Sequence, residues 1–282
     1  MAPAVDPSGG SYQFDSYGVR SSKSFPDRHM SLKILCLMYI PTRIWAVSPL
    51  RFGFIFIVTI AFAGIGHLIH GVSRTGAIAG GVVCLVLFAC AGPGAFAALF
   101  SVFALTWLAT RLGKTRKQRL GTAERREGRT ASQVIANLAI ACLCAALFAF
   151  GGTPVWLLAM AAALAEAAAD TVSSECGQAF SESARLITTF VSVPAGTDGG
   201  VTPLGTTAGA GAAILVSAVC ALIGLPASWL WIPAIAGVFG MLADSYIGAL
   251  FERPGQINND GVNLIGTVVA AGVAFGIGAL VR

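Results

Sequence analysis

The sequence predicts an all-α fold, a polytopic bundle of about seven or eight transmembrane helices. Hydrophobic side chains make up 56% of the 282 residues, charged side chains make up only 11%, and the mean hydropathy is +0.78. A soluble domain keeps roughly a quarter of its residues charged. This chain has less than half of that share, so most of its surface must face lipid instead of water.

Eight apolar runs approach the roughly 17–25 residues that a helix needs to cross the hydrocarbon core. The predicted spans are 52–70, 77–92, 94–110, 134–150, 154–174, 205–224, 229–250 and 262–281. The stretch 32–50 is interrupted by Pro41 and Pro49, which favours an interfacial helix over a ninth span. Residues 1–50 are therefore interpreted as a disordered or interfacial extension, and residues 51–282 as a single transmembrane domain.

The positive charge is concentrated in one loop, where eight of the 18 Lys and Arg residues lie between Arg111 and Arg129. A basic loop between apolar segments is typical of the cytoplasmic side of a membrane, beside anionic lipid. On that basis the loops 71–76, 175–204 and 251–261 are cytoplasmic too, and only short neutral turns face the other side. No aromatic residues interleave with the basic run, so no nucleic-acid partner is expected.

This basic loop also contains candidate phosphate ligands. A solvated loop near anionic lipid is one interpretation, and a site for a triphosphate or a prenyl phosphate is the other. Lys114 and Arg129 are the candidate ligands, and Asn137 follows in the next span on the same helix face as Gln133.

A cluster of acidic residues ends the fifth predicted span. Glu166 and Asp170 are four residues apart and share one helix face, and Ser174 and Glu175 follow closely. Carboxylates in a membrane span are costly unless they pair or bind a cation. Mg²⁺ binds through one or two carboxylates together with substrate phosphates, so the cluster indicates a Mg²⁺ site, although a helix end that reaches water is the plain alternative. Asp244, a lone carboxylate within the apolar span 229–250, needs a partner or a cation for the same reason.

Two further polar segments are predicted to lie on the same face. Glycines in 196–200 allow successive backbone N–H groups to converge on an anion, and a nearby arginine would add a permanent charge, while an ordinary turn is the alternative. The candidate residues there are Arg185, Thr188, Thr189, Gly196, Thr197, Asp198 and Gly199. At the start of the last span, Asn259, Asp260 and Asn263 indicate a polar site, while helix capping by Asn258 or Asn259 is the alternative.

These motifs, taken in order, resemble a family of integral membrane proteins that was long of unknown function. The motifs are Gly128–Arg129 with Gln133–Asn137, Asp170–Glu175, Thr188–Phe190 with Val193–Pro194 and Gly196–Thr197, Gly205–Thr206, Gly248–Ala249, and Asn258–Asn263. The plant and cyanobacterial members of the family include the phytyl-phosphate kinase of vitamin E salvage, and an animal relative is an uncharacterised transmembrane protein. The resemblance runs from about residue 70 to the C-terminus.

The resemblance implies transfer of a phosphoryl group from a nucleoside triphosphate, CTP or another, to phytyl phosphate or a related isoprenyl monophosphate. It implies Mg²⁺ held by Asp170, Glu175 and Asp244, with these three and Arg185 as the catalytic set. The prenyl tail would lie among membrane lipids and small-residue helices. The implied binding residues are Lys114, Arg129, Asn137, Ser174, Thr188, Thr189, Gly196, Thr197, Asp198, Gly199, Asn259, Asp260 and Asn263.

The implied location is the inner cell membrane of a bacterium or the plastid envelope of a plant. The segment Glu182–Arg185 differs from the plant kinases. A non-photosynthetic host has little phytol, and in such a host the expected substrate is another prenyl phosphate. Alternatives from other classes are a small-solute transporter, a CTP-dependent prenol kinase or cytidylyltransferase-like enzyme, and a lipid-binding scaffold. The oligomeric state does not follow from the sequence.

Overall fold

The structure is a computed structural model that describes residues 48–124 and 126–281. The predicted extension 1–50 lies outside the described residues, except for its last three positions. Within the described part, eight helical segments are long and apolar enough to cross a membrane, which confirms the predicted order of spans.

The helices are numbered here in chain order. They are α1 Pro49–Leu68, α2 Arg74–Ala91, α3 Pro93–Arg111, α4 Lys114–Leu120, α5 Ala131–Gly151, α6 Val155–Phe180, α7 Pro203–Val219, α8 Trp231–Ile247 and α9 Asn259–Leu280. A 3₁₀ turn, Cys220–Ile223, extends α7, and a second, Ala227–Trp229, precedes α8, which continues into a π turn, Gly248–Glu252. The short helix α4 does not span the membrane.

Helix α6 is the centre of the bundle, because 89% of its apolar 18-residue stretch is buried. It packs on α3, α5, α7, α8 and α9. Its buried face is mostly alanine, and small residues let membrane helices approach closely. A Cβ added at Gly209 of α7 would stand 2.6 Å from the Ala169 carbonyl oxygen, and one at Gly237 of α8 would stand 2.9 Å from Cβ of Ala165. Backbone contact of this kind fixes the carboxylates of α6 against its neighbours.

Polar caps begin the helices that start on one face of the bundle. The hydroxyl of Ser73 accepts from the Gly76 amide at α2, and Thr130 forms a capping box with Gln133 at α5. Thr202 caps α7 and Asn258 caps α9 in the same way. Each cap satisfies amides that the first helical turn leaves without a partner.

Contacts between connections confirm that the polar segments gather on this face. The segment before α2 bridges to Arg129, and Arg116 Nη2 donates to the Ser181 carbonyl (2.6 Å). The loop around Gly199 packs on Ala249 at the end of α8. On the opposite face, Gly94 packs against the carbonyl of Leu222.

A three-stranded antiparallel sheet lies within the α6–α7 connection, which the all-α prediction did not include. Its strands are β1 Ser183–Leu186, β2 Ser192–Pro194 and β3 Gly200–Val201, in the order β2-β1-β3. The turns between them use positive φ angles at Phe190 (58°), Gly196 (89°) and Gly199 (74°). Glycine adopts that conformation without steric cost, which explains two of these three positions, both in the connection between β2 and β3.

Candidate active site

A cavity of about 610 Å³ lies among helices α1 to α6. Its wall is apolar where it is formed by Phe62, Leu99, Val102, Phe103 and Leu138. Toward the polar face the lining becomes basic. The basic lining residues are Arg111, Lys114, Lys117, Arg126 and Arg129.

The cavity is elongated along α3. On α3 its lining extends from Leu99 to Arg111, twelve residues, which at 1.5 Å per residue is about 18 Å. Gln133 and Asn137 of α5 line the same space. The cavity therefore combines an apolar slot with a basic mouth and side-chain amides.

Arg129 lies between this cavity and the acidic residues of α6. Its backbone amide donates to the Gly71 carbonyl (3.2 Å), and its carbonyl accepts from the Ser73 amide (3.0 Å). A Cβ at Gly76 would stand 2.1 Å from that carbonyl oxygen, so the glycine lets α2 approach Arg129. The guanidinium Nη2 donates to Oγ1 of Thr171 (3.2 Å), and its charge acts on Asp170.

Lys117 and Glu175 form an ion pair that ties α4 to α6. Lys117 is only 1% exposed, and its ammonium also donates to the Thr110 carbonyl (2.7 Å). Glu175 was expected in the Mg²⁺ site with Asp170, and Lys117 was not among the candidate residues. Five residues along a helix turn a side chain by about 140°, so Glu175 faces a different direction from Asp170.

The acidic residues that do come together are Glu166 and Asp170 of α6 and Asp244 of α8, which we call the carboxylate cluster. Asp170 and Asp244 are in side-chain contact at hydrogen-bond range, and electrostatic interactions link Asp244 to Glu166. Glu166 is 1% exposed and Asp244 is 8% exposed. Asp244, a lone carboxylate in its span, thus lies beside two others contributed by α6.

Among the described residues, no three His, Cys, Asp or Glu side chains stand at the spacing of a closed metal site. Glu252, at the end of the π turn, adds a further negative charge near the cluster. Glu252 was not among the candidate residues, because it follows Phe251 in a sequence typical of an ordinary helix end.

Arg185 is not brought to the carboxylate cluster. It lies on β1, is exposed, and its Nη1 donates to the Phe190 carbonyl (3.0 Å) in its own hairpin. Thr188 and Thr189 belong to the same hairpin turn, where Oγ1 of Thr189 accepts from the Val191 amide (3.5 Å). These residues stabilise the small sheet, which sequence periodicity over such short strands does not reveal.

The glycine loop uses its amides internally. The Thr197 amide donates to the Pro194 carbonyl (3.3 Å), and the Gly200 amide donates to the Thr197 carbonyl (2.8 Å). These two amides therefore do not converge on an anion as the sequence analysis expected. Gly196 and Gly199 are turn residues, while Asp198 interacts electrostatically with Glu252 and reaches the edge of the cluster.

The remaining predicted residues are Ser174 on α6 and the polar residues at the start of α9. Ser174 is exposed and accepts from Nε2 of Gln178 (2.8 Å). Asn258 caps α9, as the capping alternative predicts, and Asn259 and Asp260 lie in the first turn. Asn263 is buried one turn before Gly266, whose backbone adjoins Asp244.

Comparison with known proteins identifies the class. Residues 57–271 match the family described as Integral membrane protein DUF92, so the chain belongs to this family. This confirms the family membership that the ordered motifs predict.

Three relatives illustrate the range of the family. The chain is 41% identical over 172 residues to "Uncharacterized membrane protein MJ0933" of Methanocaldococcus jannaschii, covering 61% of this chain and 71% of the relative. It is 31% identical over 217 residues to "Protein VTE6, chloroplastic" of Arabidopsis thaliana, covering 72% and 65%. It is 31% identical over 204 residues to "Uncharacterized membrane protein sll0875" of Synechocystis, covering 70% and 79%. No solved structure matches this chain.

Proposed function

We propose that the protein is a membrane-embedded phosphotransferase that converts an isoprenyl monophosphate to the diphosphate, with a nucleoside triphosphate as donor. The observation that carries this proposal is the cavity, whose apolar slot and basic mouth match an anionic lipid with one long tail. The similarity to the chloroplastic Arabidopsis protein and the resemblance to phytyl-phosphate kinase support the same chemistry.

The size of the cavity suits such a lipid. At about 30 Å³ for each heavy atom, roughly the share of a water molecule, 610 Å³ holds about 20 heavy atoms. That is enough for a phosphate and about three isoprene units, and a longer phytyl tail would extend between the helices into lipid. The phosphate would lie at the mouth, where Arg129 and Lys114 supply charge-assisted hydrogen bonds.

The chemistry needs positioning and charge neutralisation more than covalent groups. A bond forms between an oxygen of the lipid phosphate and the terminal phosphorus of the donor, and the bond to the bridging oxygen breaks, releasing the nucleoside diphosphate. The acceptor is already an anion, so no general base has to remove a proton. Arg129 adjoins both the cavity and Asp170, which places a positive charge where the two phosphate groups would meet.

Mg²⁺ fits the carboxylate cluster, because carboxylate oxygens are its preferred protein ligands and two suffice when phosphates and water complete the shell. Asp170 and Asp244 would hold it, and when bound it would supply charge neutralisation for the donor phosphates. Glu175 is assigned a different role, since it pairs with Lys117. We further propose that the polar face is cytoplasmic, where nucleoside triphosphates are available, as its basic residues favour.

Turnover by the purified protein tests this function. The protein in detergent or nanodiscs is incubated with Mg²⁺, a panel of nucleoside triphosphates, and phytyl, geranylgeranyl and shorter prenyl monophosphates. We expect prenyl diphosphate from the wild type, a loss of at least about 100-fold in Asp170→Asn, and near wild-type activity in Glu182→Gln, an exposed carboxylate control. Turnover of prenols instead would favour a prenol kinase. No turnover, together with solute counterflow in liposomes, would favour a transporter.

A further inference from the structure

Two carboxylate oxygens in the membrane interior stand without a hydrogen-bond partner. They are Oε1 of Glu166 and Oδ2 of Asp244, each with almost no exposed surface. Their residues are 1% and 8% exposed. An unpaired charge at that depth is costly, so a buried carboxylate of this kind indicates a missing partner.

Both oxygens border the same small space on the backbone of α9. A Cβ added at Gly266 would stand 2.6 Å from Oε1 of Glu166 and 3.3 Å from Oδ2 of Asp244. A Cβ at Gly240 of α8 would stand 2.7 Å from Cγ of Glu166 and 2.9 Å from the Gly266 carbonyl oxygen. The absence of a side chain at Gly266 therefore leaves a notch in the surface of α9, which the two unpartnered oxygens occupy.

The helices around this notch carry no basic residue. Helices α6, α8 and α9 contain only acidic ionisable side chains besides cysteine and tyrosine, and the π turn adds another glutamate. Arg129 approaches from the cavity side, where it acts on Asp170. These helices therefore supply no cationic partner of their own for the two oxygens.

We propose that a divalent cation of the Mg²⁺ class binds between Glu166 and Asp244, whose unpartnered oxygens meet at the Gly266 notch. In the ligand set that the resemblance implies, Glu166 then takes the place of Glu175, and Asp170 contacts Asp244 beside the cation. Mg²⁺ commonly takes only one or two carboxylates, which agrees with the lack of a closed three-residue group among residues 48–124 and 126–281. This inference rests on the proposed function, because both use Asp244. Cation binding can nevertheless be measured in the absence of nucleotide and lipid.

Binding of Mn²⁺ to the purified full-length protein, followed by electron paramagnetic resonance and by competition with Mg²⁺, tests the site. We expect one Mn²⁺ that Mg²⁺ displaces, and at least a tenfold loss of affinity in Glu166→Gln, Asp244→Asn and Gly266→Ala. The matched control for the glycine is Gly272→Ala on the same helix, where an added Cβ meets nothing within 4 Å. Glu175→Gln and Asp198→Asn serve as carboxylate controls, and all three controls should keep wild-type affinity.

Glu166→Gln retains the shape of the side chain, so it tests the proposal even if Gly266→Ala lowers the melting temperature. Wild-type Mn²⁺ affinity in Glu166→Gln, loss of binding in Glu175→Gln, or no specific Mn²⁺ at all would each overturn the site. If the site binds Mn²⁺ as expected and no prenyl phosphate is turned over, the proposed function fails and the cation site stands. If prenyl phosphate is turned over but Glu166→Gln keeps wild-type Mn²⁺ affinity, the cation site fails and the proposed function stands.

Discussion

Arg129→Gln should lower kcat/KM for the prenyl monophosphate by at least about 100-fold while leaving the protein folded. Removing a charged donor that stabilises a phosphoryl-transfer transition state typically costs two orders of magnitude or more. Arg129 lines the cavity, donates to Thr171 and acts on Asp170, so in the proposed reaction its charge would serve both phosphate groups. Steady-state kinetics with saturating Mg²⁺ and nucleotide measures the effect.

Arg126→Gln is the matched control. Arg126 also lines the mouth but is exposed, so its loss should raise KM for the lipid several-fold with little change in kcat. Arg129→Lys retains the charge but not the planar fork, and we expect only partial activity. Equal kcat values for Arg129→Gln and the wild type would remove Arg129 from the reaction.

Lys117→Met should destabilise the protein by about 3 kcal/mol, the largest single effect on stability that we expect. Breaking a buried ion pair by removing one partner leaves an uncompensated charge, here the carboxylate of Glu175. The same change also removes the donor to the Thr110 carbonyl. The loss is measured as the shift in the thermal unfolding midpoint of the purified protein in detergent.

The double variant Lys117→Met/Glu175→Gln should recover much of that stability, because it removes both charges. Glu175→Gln alone should be less damaging than Lys117→Met, since Glu175 is 13% exposed and Lys117 only 1%. If Lys117→Met unfolds at the wild-type temperature, the pair does not fasten α4 to α6, and Glu175 regains its predicted place among the metal ligands.

The spans were predictable because a helix must be apolar for about 20 residues to cross the membrane, and that requirement is local. Asp170 and Asp244 were predictable for a related reason, since a carboxylate within such a run demands a partner. Arg129 followed from its place in the basic loop and from the family motif. These signals depend on the chain near each residue and not on the packing of distant helices.

The cavity and the pairing of Glu175 depend on how six helices pack, so neighbouring residues carry no sign of them. In the sequence, Lys117 is one of eight basic residues in a loop. Only the folding of that segment into α4 directs its side chain inward to Glu175. The β-hairpin of Arg185 is too short for a periodic pattern, so the sequence carries no sign of the hydrogen bond from Arg185 to the Phe190 carbonyl. The Gly266 notch likewise requires knowing which face of α9 meets Glu166.

The central claim is that the cavity holds the lipid phosphate with its tail in the apolar slot. Photolabelling with a prenyl monophosphate that carries a diazirine in its tail, followed by peptide mapping, tests this most directly. We predict labels on α3 at Leu99–Phe103 and on α5 at Leu138, lost when unlabelled prenyl monophosphate competes. Labels confined to lipid-facing positions such as Ile214 and Ile235, or unchanged by the competitor, would contradict the claim.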